Sequence, residues 1–148
     1  MKIYIGSDHA GVALKSKVLA KVQSMGCDVE DLGPYSEDRV DYPVYGRKVG
    51  ERVAADPESR GIVICGSGIG ISIAANKVPG IRAALCGDPL SAKLCREHNN
   101  ANILAMGARI IGEALAMEIV ENFLTTEFAG GRHQHRVDML TSMDKERW

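Results

Sequence analysis

Residues able to move a proton or hold an anion fall in four short stretches of the 148-residue chain. The first is Cys65-Gly66-Ser67-Gly68-Ile69-Gly70, a thiol followed by a glycine-rich turn between an apolar run and an apolar segment of helical spacing. Gly66, Gly68 and Gly70 let the backbone turn successive N–H groups toward one point. A helix N-terminus fed by such a nest binds a phosphate or stabilises an oxyanion. The spacing to a lysine is wrong for a P-loop, and the dinucleotide fingerprint fails because its third glycine falls on Ile71. Asp88, near the end of the next strand, keeps a nucleotide-binding reading open as the acid that would meet a ribose. A helix start favours a thiol as its thiolate, the form that serves as base or nucleophile. Cys65 holds that position, whereas Cys27, Cys86 and Cys95 read as small core residues.

Asp8-His9, His98-Asn99 and the pair Arg132 and Arg136 complete the set. The arginines lie four apart, hence on one helical face, and are flanked by His133 and His135; two guanidinia so placed suit a phosphate or carboxylate. Each pair also has a plain structural reading: an N-cap for Asp8, a helix end for His98-Asn99, a solvated face for the arginines. The functional case therefore rests on convergence, with neighbouring strand ends expected to bring Asp8, His9, Cys65 and His98 to one ligand. His133-Gln134-His135 has no carboxylate or thiol at ligand spacing, so no metal is expected.

Short β-branched runs at positions 2–6, 27–32, 61–65, 81–86 and 102–106 alternate with segments of helical spacing. Leu14, Val18, Val22 and Met25 form one stripe, with Lys15, Lys17 and Lys21 mostly opposite it and Gly26 as the stop. Pro43 and Pro89 open two further helices. Positions 107–124 read as one long apolar helix, and Gly130-Gly131 break the chain before a last helix from about His133. The pattern predicts one α/β domain over 1–148: a three-layer Rossmann-like fold with a five-stranded parallel sheet and a C-terminal helix. In such sheets ligands sit beyond the carboxyl ends of the strands, where strand order reverses.

With 18 Lys plus Arg against 19 Asp plus Glu, the formal charge of -1 offers no basic footprint for nucleic acid. No apolar run approaches the ~18 residues of a membrane span. The first six residues are too briefly apolar for a secretory signal, and four scattered cysteines without a C-x-x-C pair suit reduced thiols. A cytoplasmic protein is expected.

Taken together, Gly6-Ser7-Asp8-His9-Ala10-Gly11, Asp41-Tyr42-Pro43, Cys65 through Lys77, Arg96-Glu97-His98-Asn99 and Gly130-Gly131-Arg132-His133 resemble the ribose-5-phosphate isomerase B family, which belongs with the galactose-6-phosphate isomerase subunits. The resemblance implies an aldose–ketose isomerase of sugar phosphates, without metal or cofactor, acting as a homodimer with active sites shared between subunits; pairing of two dimers stays open. Carried across, Cys65 is the base moving a proton between C1 and C2, and His98 helps open the sugar ring. Asp8 and Asn99 hold hydroxyls or the ring oxygen, and Tyr42 lines the pocket. His9, Arg109, Arg132 and Arg136 form the phosphate set. Ser67 stands where many members carry Thr, keeping the hydroxyl that assists transfer between O1 and O2 while leaving more room, so some tolerance of other aldoses is expected. Proton abstraction beside a carbonyl leaves an enediolate, which the N–H groups of Gly66, Gly68, Ile69 and Gly70 would stabilise. The rival readings are a Cys-His-Asn hydrolase using Cys65, His98 and Asn99 and a non-catalytic nucleotide-binding module.

Overall fold

The structure, a computed structural model, describes residues 1–146; Arg147 and Trp148, the end of the expected domain, lie outside them. Strands β1 (Lys2–Ser7), β2 (Asp28–Asp31), β3 (Arg60–Cys65), β4 (Ala83–Leu85) and β5 (Ile103–Gly107) form one sheet in the order β2-β1-β3-β5-β4. Every pairing is parallel. The helices are α1 (Val12–Ser24), entered through a 3-10 turn at His9–Gly11, α2 (Tyr42–Ala55), α3 (Ile69–Asn76), α4 (Pro89–Asn99), α5 (Glu113–Thr125) and α6 (Arg132–Glu146). This is the expected Rossmann-like arrangement.

The central strands are apolar at every position because both faces of a parallel sheet are covered. On one face Ile3, Ile5, Ile62, Ile64, Leu104 and Met106 pack with Val18, Val22, Cys95, Ile119 and Phe123 of α1, α4 and α5. On the other, Tyr4, Val63, Cys65, Ile103 and Ala105 meet Val49, Val53, Ile71 and Ala75 of α2 and α3. The period of two along each strand sorts these side chains. Between β1 and β3 the chain changes direction across the sheet, so the ends of those strands border a crevice. No helix among the described residues is long and apolar enough to cross a membrane.

Three expectations are corrected. The long helix expected over 107–124 is instead the end of β5, an irregular turn and then α5. The N–H groups of Ala108 and Arg109 donate to the carbonyls of Cys65 and Gly66, both at 2.9 Å, so distant partners hold this turn out of helical form. Asp88 is a cap rather than a ribose ligand: its carboxylate accepts the N–H and the hydroxyl of Ser91, both at 2.7 Å, and these bonds hold it below the usual range. Lys15 does not share the exposure of Lys17. Its ammonium is buried and donates to Asp31 Oδ1 and the Pro34 carbonyl, both at 2.6 Å, tying the loop after β2 to α1.

Because removing one partner of a buried ion pair strands the other polar groups, Lys15→Met should cost about 2–4 kcal/mol in urea unfolding. A loss below about 0.5 kcal/mol would mean that this ammonium does not hold the loop.

Candidate active site

Cys65 ends β3 and is 4% exposed. Its Sγ accepts the N–H of Gly68 at 3.1 Å. Gly68 is left-handed (φ 79), and a Cβ there would lie 2.6 Å from Leu85 Cδ1 and 2.7 Å from the Met106 carbonyl carbon. Glycine is therefore required twice over, by conformation and by space. Ser67 Oγ accepts the N–H of Ile69 at 3.2 Å. Two of the four expected enediolate donors, Gly68 and Ile69, thus already serve the chain's own side chains. Gly66 accepts the Arg109 N–H through its carbonyl at 2.9 Å, while its own N–H has no acceptor among the described residues. Gly70 lies in the first turn of α3, where an N–H has no acceptor within the helix, and is a second open donor in the cleft lining.

Asp8 lies at the neighbouring strand end, its N–H bonded to the Ile64 carbonyl at 3.0 Å. Its Oδ1 caps the following turn by accepting from Ala10 and Gly11 at 3.0 and 3.2 Å, and the residue also borders the cleft. Asp8 is therefore the N-cap that the sequence suggests, and it stands where a ligand in the cleft would meet it. The cleft, about 600 Å³ in volume, is lined by Asp8, Tyr42, Cys65, Gly66, Ser67, Ile69, Gly70 and Arg109 among others. Tyr42 opens α2 and lays its ring over Gly70, where any Cβ would collide with it. His9 stands outside the lining; its Nδ1 is 3.2 Å from both the N–H and the carbonyl of Val40, which anchors the ring to the loop before α2.

The remaining expected residues do not join this group within one chain. A helix that follows a parallel strand runs back along the sheet, so α4 starts beyond the end of β4 and finishes where the strands begin. Arg82, just before β4, donates to the carbonyls of Asn99 and Asn100 at 3.2 and 3.0 Å. The 11 residues of α4 place His98 and Asn99 roughly 16 Å along the sheet from the end that holds Cys65. The Cys-His-Asn grouping of a hydrolase is therefore not assembled within one chain. At that far end a second cluster forms. The rings of His98 and His133 stack at 4.4 Å, and Arg132 and Arg136 extend from the same end of α6. Lost hydration first, then the charges of His98, Arg132 and Arg136, push His133 below its ordinary value. His133 belongs to this cluster although the sequence assigned it no role; its position beside Arg132 was the available signal. No group of three or more His, Cys, Asp or Glu able to hold a metal occurs among the described residues.

A family model for ribose/galactose isomerases matches residues 3–140. Ribose-5-phosphate isomerase B of Escherichia coli (strain K12) is 47% identical, over 99% of this chain and 98% of the relative. The solved ribose-5-phosphate isomerase B of Clostridium thermocellum superposes with a TM-score of 0.97 at 51% identity, covering 100% of both chains. That of Mycoplasma genitalium, solved with bound ribulose-5-phosphate, has a TM-score of 0.94 at 39% identity, covering 98% of this chain and 97% of its own.

A histidine whose pKa falls on folding binds its proton more tightly when unfolded, so its contribution to stability is present above about pH 6.5 and declines as the pH drops below it. Thermal midpoints should therefore fall on acidification from pH 7 to 5, and His133→Gln should flatten part of that decline. An unchanged acid limb in the variant would show that the stacked pair is not its source.

Proposed function

The chain belongs to the ribose/galactose isomerase family, and on that premise we propose that it interconverts ribose 5-phosphate and ribulose 5-phosphate through an enediolate. The observation that carries the reading is the cleft in which a thiol, a free helix-start N–H and a carboxylate face one another at adjoining strand ends. Cys65, as thiolate, takes the proton from C2 of the open-chain aldose. The charge that develops on O1 meets the N–H of Gly70. Arg109, which the resemblance puts in the phosphate set, instead borders the Cys65 cleft beside Gly66 and brings its guanidinium to that charge. Ser67 passes a proton between O1 and O2, and the Cys65 thiol returns its proton to C1, leaving the ketose. Tyr42 and Asp8 border the sugar. No step calls for a cofactor.

His98, Asn99, Arg132 and Arg136 take part from a second copy of the chain, whose far end covers the cleft of the first; His98 opens the ring and the arginines hold the phosphate remote from the chemistry. The separation of the two clusters supports this, as does the apolar rim of Ile69, Ile73, Leu85 and Ile110, all exposed on one chain and suited to coverage. The working unit is a homodimer of single-domain subunits, and pairing of two such dimers is compatible with it. Four free cysteines suit a reducing cytoplasm.

With chelator present throughout, wild type should form ribulose 5-phosphate, and Cys65→Ala should lower turnover by about 10²–10⁴-fold. Near-normal turnover in the variant would remove the thiol from the proton transfer. Cys65→Ala co-expressed with Arg132→Ala/Arg136→Ala should recover about a quarter of wild-type activity, because mixed dimers carry one intact site. Recovery no greater than the mean of the two parents would exclude sites shared between chains.

A further inference from the structure

Three arginines converge at the start of the strands, at the opposite end of the sheet from Cys65. Arg60 opens β3, Arg82 precedes β4 and Arg96 lies on α4, and all three line a cavity of about 600 Å³ that also contains Ser59, Asn102 and Glu127. Arg60 and Arg96 are 8% and 5% exposed. No role in the proposed isomerisation falls to any of them.

Part of each side chain is spent on structure. Arg60 Nη1 donates to the Phe123 and Leu124 carbonyls at 2.7 and 3.3 Å. Arg96 donates through Nε to the Thr126 carbonyl at 3.2 Å, and through Nη1 to Asn100 Oδ1 at 2.9 Å and the Ala101 carbonyl at 2.6 Å. Arg82 uses Nε alone, on Asn99 and Asn100. That leaves Nε and Nη2 of Arg60, Nη2 of Arg96 and both terminal nitrogens of Arg82 without an acceptor among the described residues. None of the three arginines makes an ion pair there.

Charge arithmetic shows that capping alone does not balance the group. The carbonyl ends of α4 and α5 each present roughly half a negative charge, against three guanidinia that stay protonated. Glu127, exposed at the cavity's edge, acts on Arg60 and Arg96 through a field that water weakens but does not cancel. Burial first, then the charge of Arg60, lowers Arg96 to about 10, as expected when partly buried like charges lie close together. Between one and two positive charges remain, with donor pairs still open.

We propose that this cavity is a second anion site, which takes a dianionic phosphoryl group, either inorganic phosphate or the phosphate of a small metabolite. Arg82 forks onto its oxygens through both terminal nitrogens, Arg96 donates through Nη2, and Arg60 closes the inner side. Binding there does not depend on the isomerase reading. Its link to that reading is structural: Arg82 and Arg96 hold the turn at Asn99–Ala101 that follows His98, so occupancy acts on the end of α4 that presents His98.

Calorimetric titration with inorganic phosphate tests the site on the full chain, with Arg132→Ala/Arg136→Ala removing the other anion cluster. That variant should still bind phosphate. Adding Arg82→Gln should weaken binding at least tenfold, and Glu127→Gln, which removes a carboxylate from the cavity lining, should tighten it several-fold. Titration with ribose 5-phosphate then tells free phosphate from a metabolite: tighter binding names the ester, equal or weaker binding names the free ion. The proposal fails if the Arg132→Ala/Arg136→Ala protein binds no phosphate, or if Glu127→Gln leaves binding unchanged, a comparison that stands even where Arg82→Gln does not fold. Ribose 5-phosphate turnover by wild type reports separately on the isomerase reading.

Discussion

The hydrogen bond from the Gly68 N–H to Cys65 Sγ is the constraint around which the cleft is built. It exists because the chain turns left-handed at Gly68, and it can turn there only because nothing but hydrogen projects toward Leu85 and Met106. The exits of β3 and β5 are laced together by the Ala108 and Arg109 N–H groups on the Cys65 and Gly66 carbonyls. Gly107 completes the fit, since a Cβ on it would strike the Ser67 carbonyl. One backbone crossing thus aims the thiol, starts α3 and brings Arg109 beside Gly66. The position of the sulfur is set by the backbone, so side chains around the cleft are free to serve the ligand.

Chain polarity sets the second constraint. Parallel strands point one way and the helices between them run back, so groups at strand ends and groups at helix ends lie on opposite sides of the molecule. Asp8 and Cys65 belong to the first set, His98 and Asn99 to the second, and the start of α6 adds Arg132, His133 and Arg136 beside His98. No side-chain rearrangement inside one chain closes a distance of that order, which is why the proposed chemistry involves two chains.

The five-strand sheet was legible because its apolar runs alternate with helical spacing, and the cleft because Cys65, the glycine turn and Asp8 sit directly at strand ends. Tyr42 and Arg109 were reached through resemblance; nothing in their local spacing marks them. What stayed hidden depended on remote partners. Ile110, Ile111 and Leu115 have helical spacing, yet carbonyls more than forty residues earlier in the chain hold Ala108 and Arg109 out of the helix. Lys15 looks like its exposed neighbour Lys17 until Asp31 and the Pro34 carbonyl fold over it. Within one chain His98 does not sit near Cys65, for another reason: a helix following a parallel strand must return toward the strand starts, and the sequence already implied that direction.

The two clusters at opposite ends of the sheet also bear on how such a chain can change. The Cys65 end is held by the crossing of β3 and β5, whereas the His98 end is held by α4, the Gly130-Gly131 turn and α6. A substitution that erodes one end leaves the packing of the other intact. After a gene duplication, each copy could lose a different end and still fold, and neither would then work without its sibling. A division of labour between non-identical subunits is thus already latent in the polarity of one sheet.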